Sequence, residues 1–171
     1  MADKLKSMEF FKKAMSEYIA NNLENSVELL STSIENDPDF KLAYASRGSA
    51  YMRLNEIKAA IADFDKAIEL DDTYSRGYHL RGLAREKLGE NDLAKADFDR
   101  AIELDPEYGA AYYSRATLLT KMGQEELAVD DMEMVTHLTN RNLEEFANDN
   151  NVWRSQHLKL ESMGVASEME R

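Results

Sequence analysis

The residues of this chain that could do acid–base or metal chemistry are its histidines and carboxylates. The histidines are His79, His137 and His157. No two stand three or four apart, so no helix face carries a metal-binding pair. Asp63-Phe64-Asp65 and Asp97-Phe98-Asp99 space carboxylates as a calcium loop does. They lack the loop's glycine and terminal glutamate, and they fall inside predicted helices, so a solvated helix face explains them. Cysteine is absent, which removes disulfides, thiol nucleophiles and cysteine zinc sites together. No glycine-rich phosphate loop is present. The pattern points away from an enzyme, with no cofactor and no metal.

Arginine offers a different chemistry. Arg47, Arg81 and Arg115 recur at one spacing, and Asp63, Asp97 and Asp131 recur with them. Where the arginine is missing the aspartate is missing too: Lys13 and Leu29 hold the earlier places. An arginine ladder for anions is one reading. Cations and carboxylates that appear and vanish together read better as ion pairs between helices, since partly buried arginine is normally paired.

The spacing is 34 residues. Ala60 to Asp71 returns as Ala94 to Asp105, with Asp-Phe-Asp and Ala-Ile-Glu-Leu-Asp repeated. The period divides the chain into units 7–40, 41–74, 75–108 and 109–142. The fourth place holds Phe10, Tyr44, Tyr78 and Tyr112. The eighth holds Ala14, Gly48, Gly82 and Ala116, and the twentieth Ser26, Ala60, Ala94 and Ala128. Small residues at these places let two helices approach, and the large twenty-fourth residue (Leu30, Phe64, Phe98, Met132) fills the space beside them. At the fifteenth place Asn21, Asn55, Gly89 and Gly123 tolerate the left-handed conformation that ends a helix. Pro38 and Pro106 fall where a second helix must stop. The pattern predicts first helices near 8–20, 42–54, 75–88 and 109–122, and second helices near 24–36, 58–70, 92–104 and 126–138.

Small, small, aromatic and closing proline in 34 residues resembles the tetratricopeptide repeat family. Units one and four depart most: Ser33 and Val135 stand where Ala67 and Ala101 do, and Asn140 replaces the proline. The resemblance implies an all-α fold, a right-handed α-solenoid of four hairpins. Residues 1–6 would form a leader and 143–171 a C-terminal capping helix with a frayed tail. Leu143, Phe146, Asn150, Trp153, His157 and Leu160 share one helix face that could seal the last hairpin. The run Asn148-Asp149-Asn150-Asn151 allows a break, so this segment could be one helix or two. Trp153 on an incompletely covered end could instead mediate a homodimer.

In the resembled family the first helices line a concave groove that takes peptides. Carried over place by place, the groove would hold Met8, Phe11 and Met15 from unit one, and Leu42, Ser49, Met52 and Arg53 from unit two. Arg76, His79, Leu83 and Lys87 would come from unit three, and Tyr113 and Lys121 from unit four. One end is apolar and methionine-rich, which suits variable partners. The other carries Arg53, Arg76, Lys87 and Lys121 on an otherwise acidic chain. The expected ligand is an extended peptide or partner helix, apolar at one end and acidic at the other. The alternative is that Met8, Phe11 and Met15 only pack under the N-terminal segment. A chaperone-binding branch of the family clamps a C-terminal carboxylate with lysine, asparagine and arginine at set places. Those places hold Phe11, Met15, Ser46, Arg76 and Leu80 here, or Ala45, Ser49, Leu80, Ala110 and Ser114 one unit on. Only Arg76 matches, so that ligand is not expected.

The formal charge is −12, with 21 Lys and Arg against 33 Asp and Glu, and a polyanion such as nucleic acid would be repelled. No apolar run approaches the roughly 20 residues that span a bilayer, and the N-terminal residues do not form a signal peptide. The expected location is the cytoplasm, with no membrane insertion. A protein-binding adaptor or scaffold leads the functional readings. A small secretion-type chaperone and a self-assembling structural module follow.

Overall fold

A computed structural model describes the backbone of residues 2–162 and the side chains of 3–146 and 148. Trp153, His157 and the tail beyond 162 therefore lie outside the described side chains, and so does the sealing role read from them. Eight helices make up the described chain: α1 (Ala2–Ile19), α2 (Leu23–Asn36), α3 (Lys41–Arg53), α4 (Ile57–Leu70), α5 (Ser75–Leu88), α6 (Asn91–Leu104), α7 (Gly109–Lys121) and α8 (Glu125–Ser162). Tight turns join each odd helix to the even helix after it, giving antiparallel hairpins. Asn21 and Asn55 adopt φ of 66° and 64° there, and Gly89 and Gly123 79° and 75°. Each helix packs on the next along the chain. Odd helices also touch the next odd helix, whereas even helices do not touch one another among the described residues. The stack is thus an α-solenoid with the odd helices on its inner side.

The paired columns of the repeat become contacts. A Cβ built on Gly48 would lie 2.6 Å from Phe64 Cε1, and one on Gly82 equally close to Phe98. Glycine accompanies phenylalanine in units two and three. Alanine suffices in units one and four, where Leu30 and Met132 replace the ring. Ser33 also has its reason. Its Oγ donates to the Ser7 carbonyl at 2.9 Å while Ser7 Oγ donates back to the Ser33 carbonyl at 2.8 Å, both side chains being fully buried. Ser26 Oγ donates to the Ala14 carbonyl in the same unit.

The arginine–aspartate pairs are present in all three units. Arg47 Nε and Nη2 donate to the Asp63 oxygens at 2.9 and 2.8 Å. Arg81 grips Asp97 at 3.0 and 2.6 Å, and Arg115 grips Asp131 at 2.8 and 2.6 Å. The remaining nitrogen reaches the preceding unit: Arg47 to Ser31 Oγ, Arg81 to Asp65 and Arg115 to Asp99. Each guanidinium therefore ties its own hairpin together and links it to the one before. Tyr44, Tyr78 and Tyr112, the fourth-place aromatics, lie 5.8, 5.3 and 5.7 Å from these cations.

Both ends of the described chain prolong repeat helices. Residues 2–6 form the first turns of α1. Residues 143–162 prolong α8, which among the described residues packs on α7 alone and leaves Leu143 61% exposed. The cause lies at the thirty-first place. Asp37, Asp71 and Asp105 end α2, α4 and α6 in extended conformation, and the Asp71 and Asp105 carboxylates accept the backbone N–H of Thr73 and Glu107. Unit four has Thr139 instead. Its Oγ1 donates back to the Val135 carbonyl at 2.8 Å, nothing caps the helix, and α8 continues.

Candidate peptide-binding groove

The inner face is set by where α1, α3 and α5 converge. There a recess of ≈ 670 Å³ is lined by Tyr18, Asn21, Leu23, Ser49, Met52, Arg53, Asn55, Arg76, Leu80 and Lys87. It gathers Ser49, Met52 and Arg53 from α3 and Arg76 and Lys87 from α5, and no carboxylate is among its lining residues. Arg53 is pinned at the rim. Its guanidinium lies 4.7 Å from the Tyr18 ring centre, donates to the Tyr18 carbonyl at 3.2 Å and bonds the Asn21 side chain. Arg76 and Lys87 are exposed and make no ion pair with a described residue. On a chain of formal charge −12, three cations around one recess form a local field of the opposite sign.

The other expected groove residues divide. Phe11 is half-buried, its ring 4.9 Å from Phe40, and packs on the Ala14, Leu30, Ile34 and Ala43 core. Leu83 packs on Ala94, Phe98 and Leu118. Both serve the core more than the surface. Met8 and Leu42 are exposed, and Met15 is half-buried. Tyr113 is exposed too, and Lys121 sits 3.6 Å from Glu86, outside the recess.

His79 is withdrawn from the groove. It is 7% exposed, with Nδ1 3.0 Å from the Tyr108 hydroxyl and Nε2 2.9 Å from Ser114 Oγ. The Tyr108 ring meets it edge-on, and Phe98 lies at 5.7 Å. Burial first, and the Arg76 charge second, push its pKa down to about 4. At neutral pH His79 is an uncharged strut tying α5 to α7 and the turn before it.

Asn21, Leu23 and Asn55 line the recess although the groove pattern omits them. That pattern draws only on first helices, whereas these residues belong to the turns and the start of α2. Their one signal was asparagine at a left-handed position, which also leaves a polar side chain at the groove's edge. Among the described residues no group of three or more His, Asp or Glu could hold a metal ion, and no helix is long and apolar enough to cross a membrane.

Tetratricopeptide repeat profiles match residues 42–74, 75–108 and 98–130. The chain belongs to the tetratricopeptide repeat family. Solved structures of this architecture superpose on it. A crystal structure of MamA has a TM-score of 0.75 at 23% identity, covering 81% of each chain. The first TPR of Spaghetti (RPAP3), bound to the HSP90 peptide SRMEEVD, has a TM-score of 0.68 at 24% identity, over 70% of this chain and 95% of that one. The Arabidopsis OM64 TPR domain gives 0.68 at 25% identity, over 70% and 98%. No curated protein matches the sequence significantly. The shared repeat architecture supports a protein–protein interaction scaffold.

Proposed function

We propose that the protein is an adaptor whose inner face takes an extended peptide or partner helix, seating acidic side chains against Arg53, Arg76 and Lys87. The carrying observation is the α1–α3–α5 recess, rimmed by three cations and lined by no carboxylate. Met52 and Leu80 in the same recess supply apolar contact beside the charges. The peptide-bound Spaghetti domain supports a peptide as ligand class. This chain's recess uses other residues than a carboxylate clamp, so internal acidic side chains are the expected ligand groups.

The test is fluorescence polarisation with labelled peptides of alternating acidic and apolar residues, against a scrambled basic control. Arg76→Glu with Lys87→Glu is the variant, since both side chains are exposed and make no ion pair with a described residue. Phe11→Glu or Leu83→Glu would damage the core instead. Binding of the acidic peptides that the variant loses supports the reading; equal binding by both proteins contradicts it. Self-association through the C-terminal helix is a second reading, favoured by the length of α8.

A further inference from the structure

The cations of the inner recess stand at its two ends. Arg76 lies in the first turn of α5 and Lys87 in the last. Eleven residues, at a rise of about 1.5 Å each, set them about 16 Å apart along the axis. Arg53 holds the place in α3 that Lys87 holds in α5, so one end of the recess has two cations and the other has one. Asn21 and Asn55 join the two-cation end. The Asn21 side-chain oxygen is taken by Arg53, which leaves its amide hydrogens to donate. Between the ends the lining turns apolar. Leu80 lies one turn from Arg76, about 6 Å along α5, and Met52 faces the same space from α3.

We infer that the ligand is an extended segment of pattern acid–x–apolar–x–acid, with one acidic side chain at Arg76 and the other at Arg53 and Lys87. The inference rests on this recess being the peptide site and specifies what that peptide is. Spacing is the first support. An extended chain rises about 3.3 Å per residue and turns alternate side chains to one face, so the first, third and fifth residues meet the recess together. The third stands about 6.6 Å from the first, as Leu80 does from Arg76. The fifth stands about 13 Å away, and the flexible Lys87 stem closes the remaining gap of about 3 Å. Section is the second. A space of ≈ 670 Å³ drawn out over about 16 Å has a section of about 40 Å², enough for one extended strand, whereas a helix about 10–12 Å across needs about 80 Å² or more. Charge is the third. Each end attracts an anion, while Leu80 and Met52 between them would strip an anion of water without pairing it. Two charges held apart therefore fit, and a continuous acidic run does not.

The test is fluorescence polarisation of the full chain with labelled peptides of one composition, their cores set in flexible Gly/Ser flanks. The core Glu-Ser-Leu-Ser-Glu is expected to bind at least about fivefold more tightly than its isomer Glu-Glu-Leu-Ser-Ser. Arg76→Gln and Lys87→Gln should each weaken the spaced peptide by about fivefold, and circular dichroism checks that both variants stay helical. With a single glutamate, the core Glu-Ser-Leu-Ser-Gln should settle at the two-cation end, so Lys87→Gln should weaken it and Arg76→Gln should not. Equal affinity for the two isomers would overturn the spacing while leaving acid recognition by the recess intact. So would tighter binding of a helical alanine-based peptide with glutamates eleven residues apart. If none of the glutamate peptides binds, the recess is not the peptide site and this inference falls with that reading.

Discussion

Removing the Arg47 charge tests the ion-pair column at its simplest member. Asp63 is 5% exposed and receives two guanidinium bonds, at 2.9 and 2.8 Å, with no other cation bonded to it. The pairing holds the Arg47 guanidinium above its ordinary pKa, through the Asp63 hydrogen bonds ahead of the opposing effect of burial. Arg47→Met keeps the aliphatic stem and strands a buried carboxylate. Breaking a buried pair costs about 3–5 kcal/mol, and the 19% exposure of the Arg47 side chain places this one near 3 kcal/mol. Asp63→Leu leaves a guanidinium that still bonds Ser31 Oγ and partly reaches water, so about 2 kcal/mol is expected. The double variant leaves no orphaned charge and should fall within about 1 kcal/mol of the parent. Urea unfolding followed by circular dichroism gives the cycle, and the expected coupling is about 4 kcal/mol. Losses that simply add would refute a direct pair. The exposed Lys66–Glu69 pair is the control and should change stability by less than about 0.5 kcal/mol.

Three further outcomes follow from the same contacts. Gly48→Ala, which would normally stabilise a helix by up to about 1 kcal/mol, should destabilise by about 1–3 kcal/mol because the new methyl meets the Phe64 ring; adding Phe64→Leu, the pairing of unit one, should recover part of the loss in urea unfolding. Because burial holds the His79 pKa near 4 against about 6.5 unfolded, the unfolded chain binds the extra proton between those values. Its contribution is whole above about pH 6.5 and falls by roughly 3 kcal/mol as the pH drops to 4. His79→Gln should lose that slope, and identical pH profiles for the two proteins would contradict it. Thr139→Asp with Asn140→Pro, which copies the end of α6, should break α8 near residue 140, read as lost helix by circular dichroism; an unchanged helical signal would contradict it.

Much of this architecture was legible because the repeat supplies internal controls. Apart from the two chain-end extensions, the helix bounds lie within one residue of the expected ones, because each column was read four times. The arginine–aspartate pairing could be inferred from joint absence in unit one, although the third nitrogen's reach into the preceding unit could not, since Ser31, Asp65 and Asp99 share only polarity. The coupling of Gly48 and Gly82 to phenylalanine was visible in two separate columns, but only the distances join them. The length of α8 had a signal too: three aspartates end even helices, and Thr139 breaks the series. In the groove, the first-helix rule put Arg53, Arg76 and Lys87 on one face, and all three line the same recess. It could not see that His79 would be consumed by Tyr108 and Ser114, because those partners come from the next unit.

The central claim is that the cationic recess between α1, α3 and α5 recognises acidic segments. Its most direct measurement is the affinity of a labelled acidic–apolar peptide for the full chain and for Arg76→Glu with Lys87→Glu, at low and high salt. The account predicts binding that weakens with salt and falls by more than about tenfold in the variant, the equivalent of losing roughly 1.4 kcal/mol or more of charge-assisted contact. Affinity indifferent to salt and unchanged in the variant would contradict it.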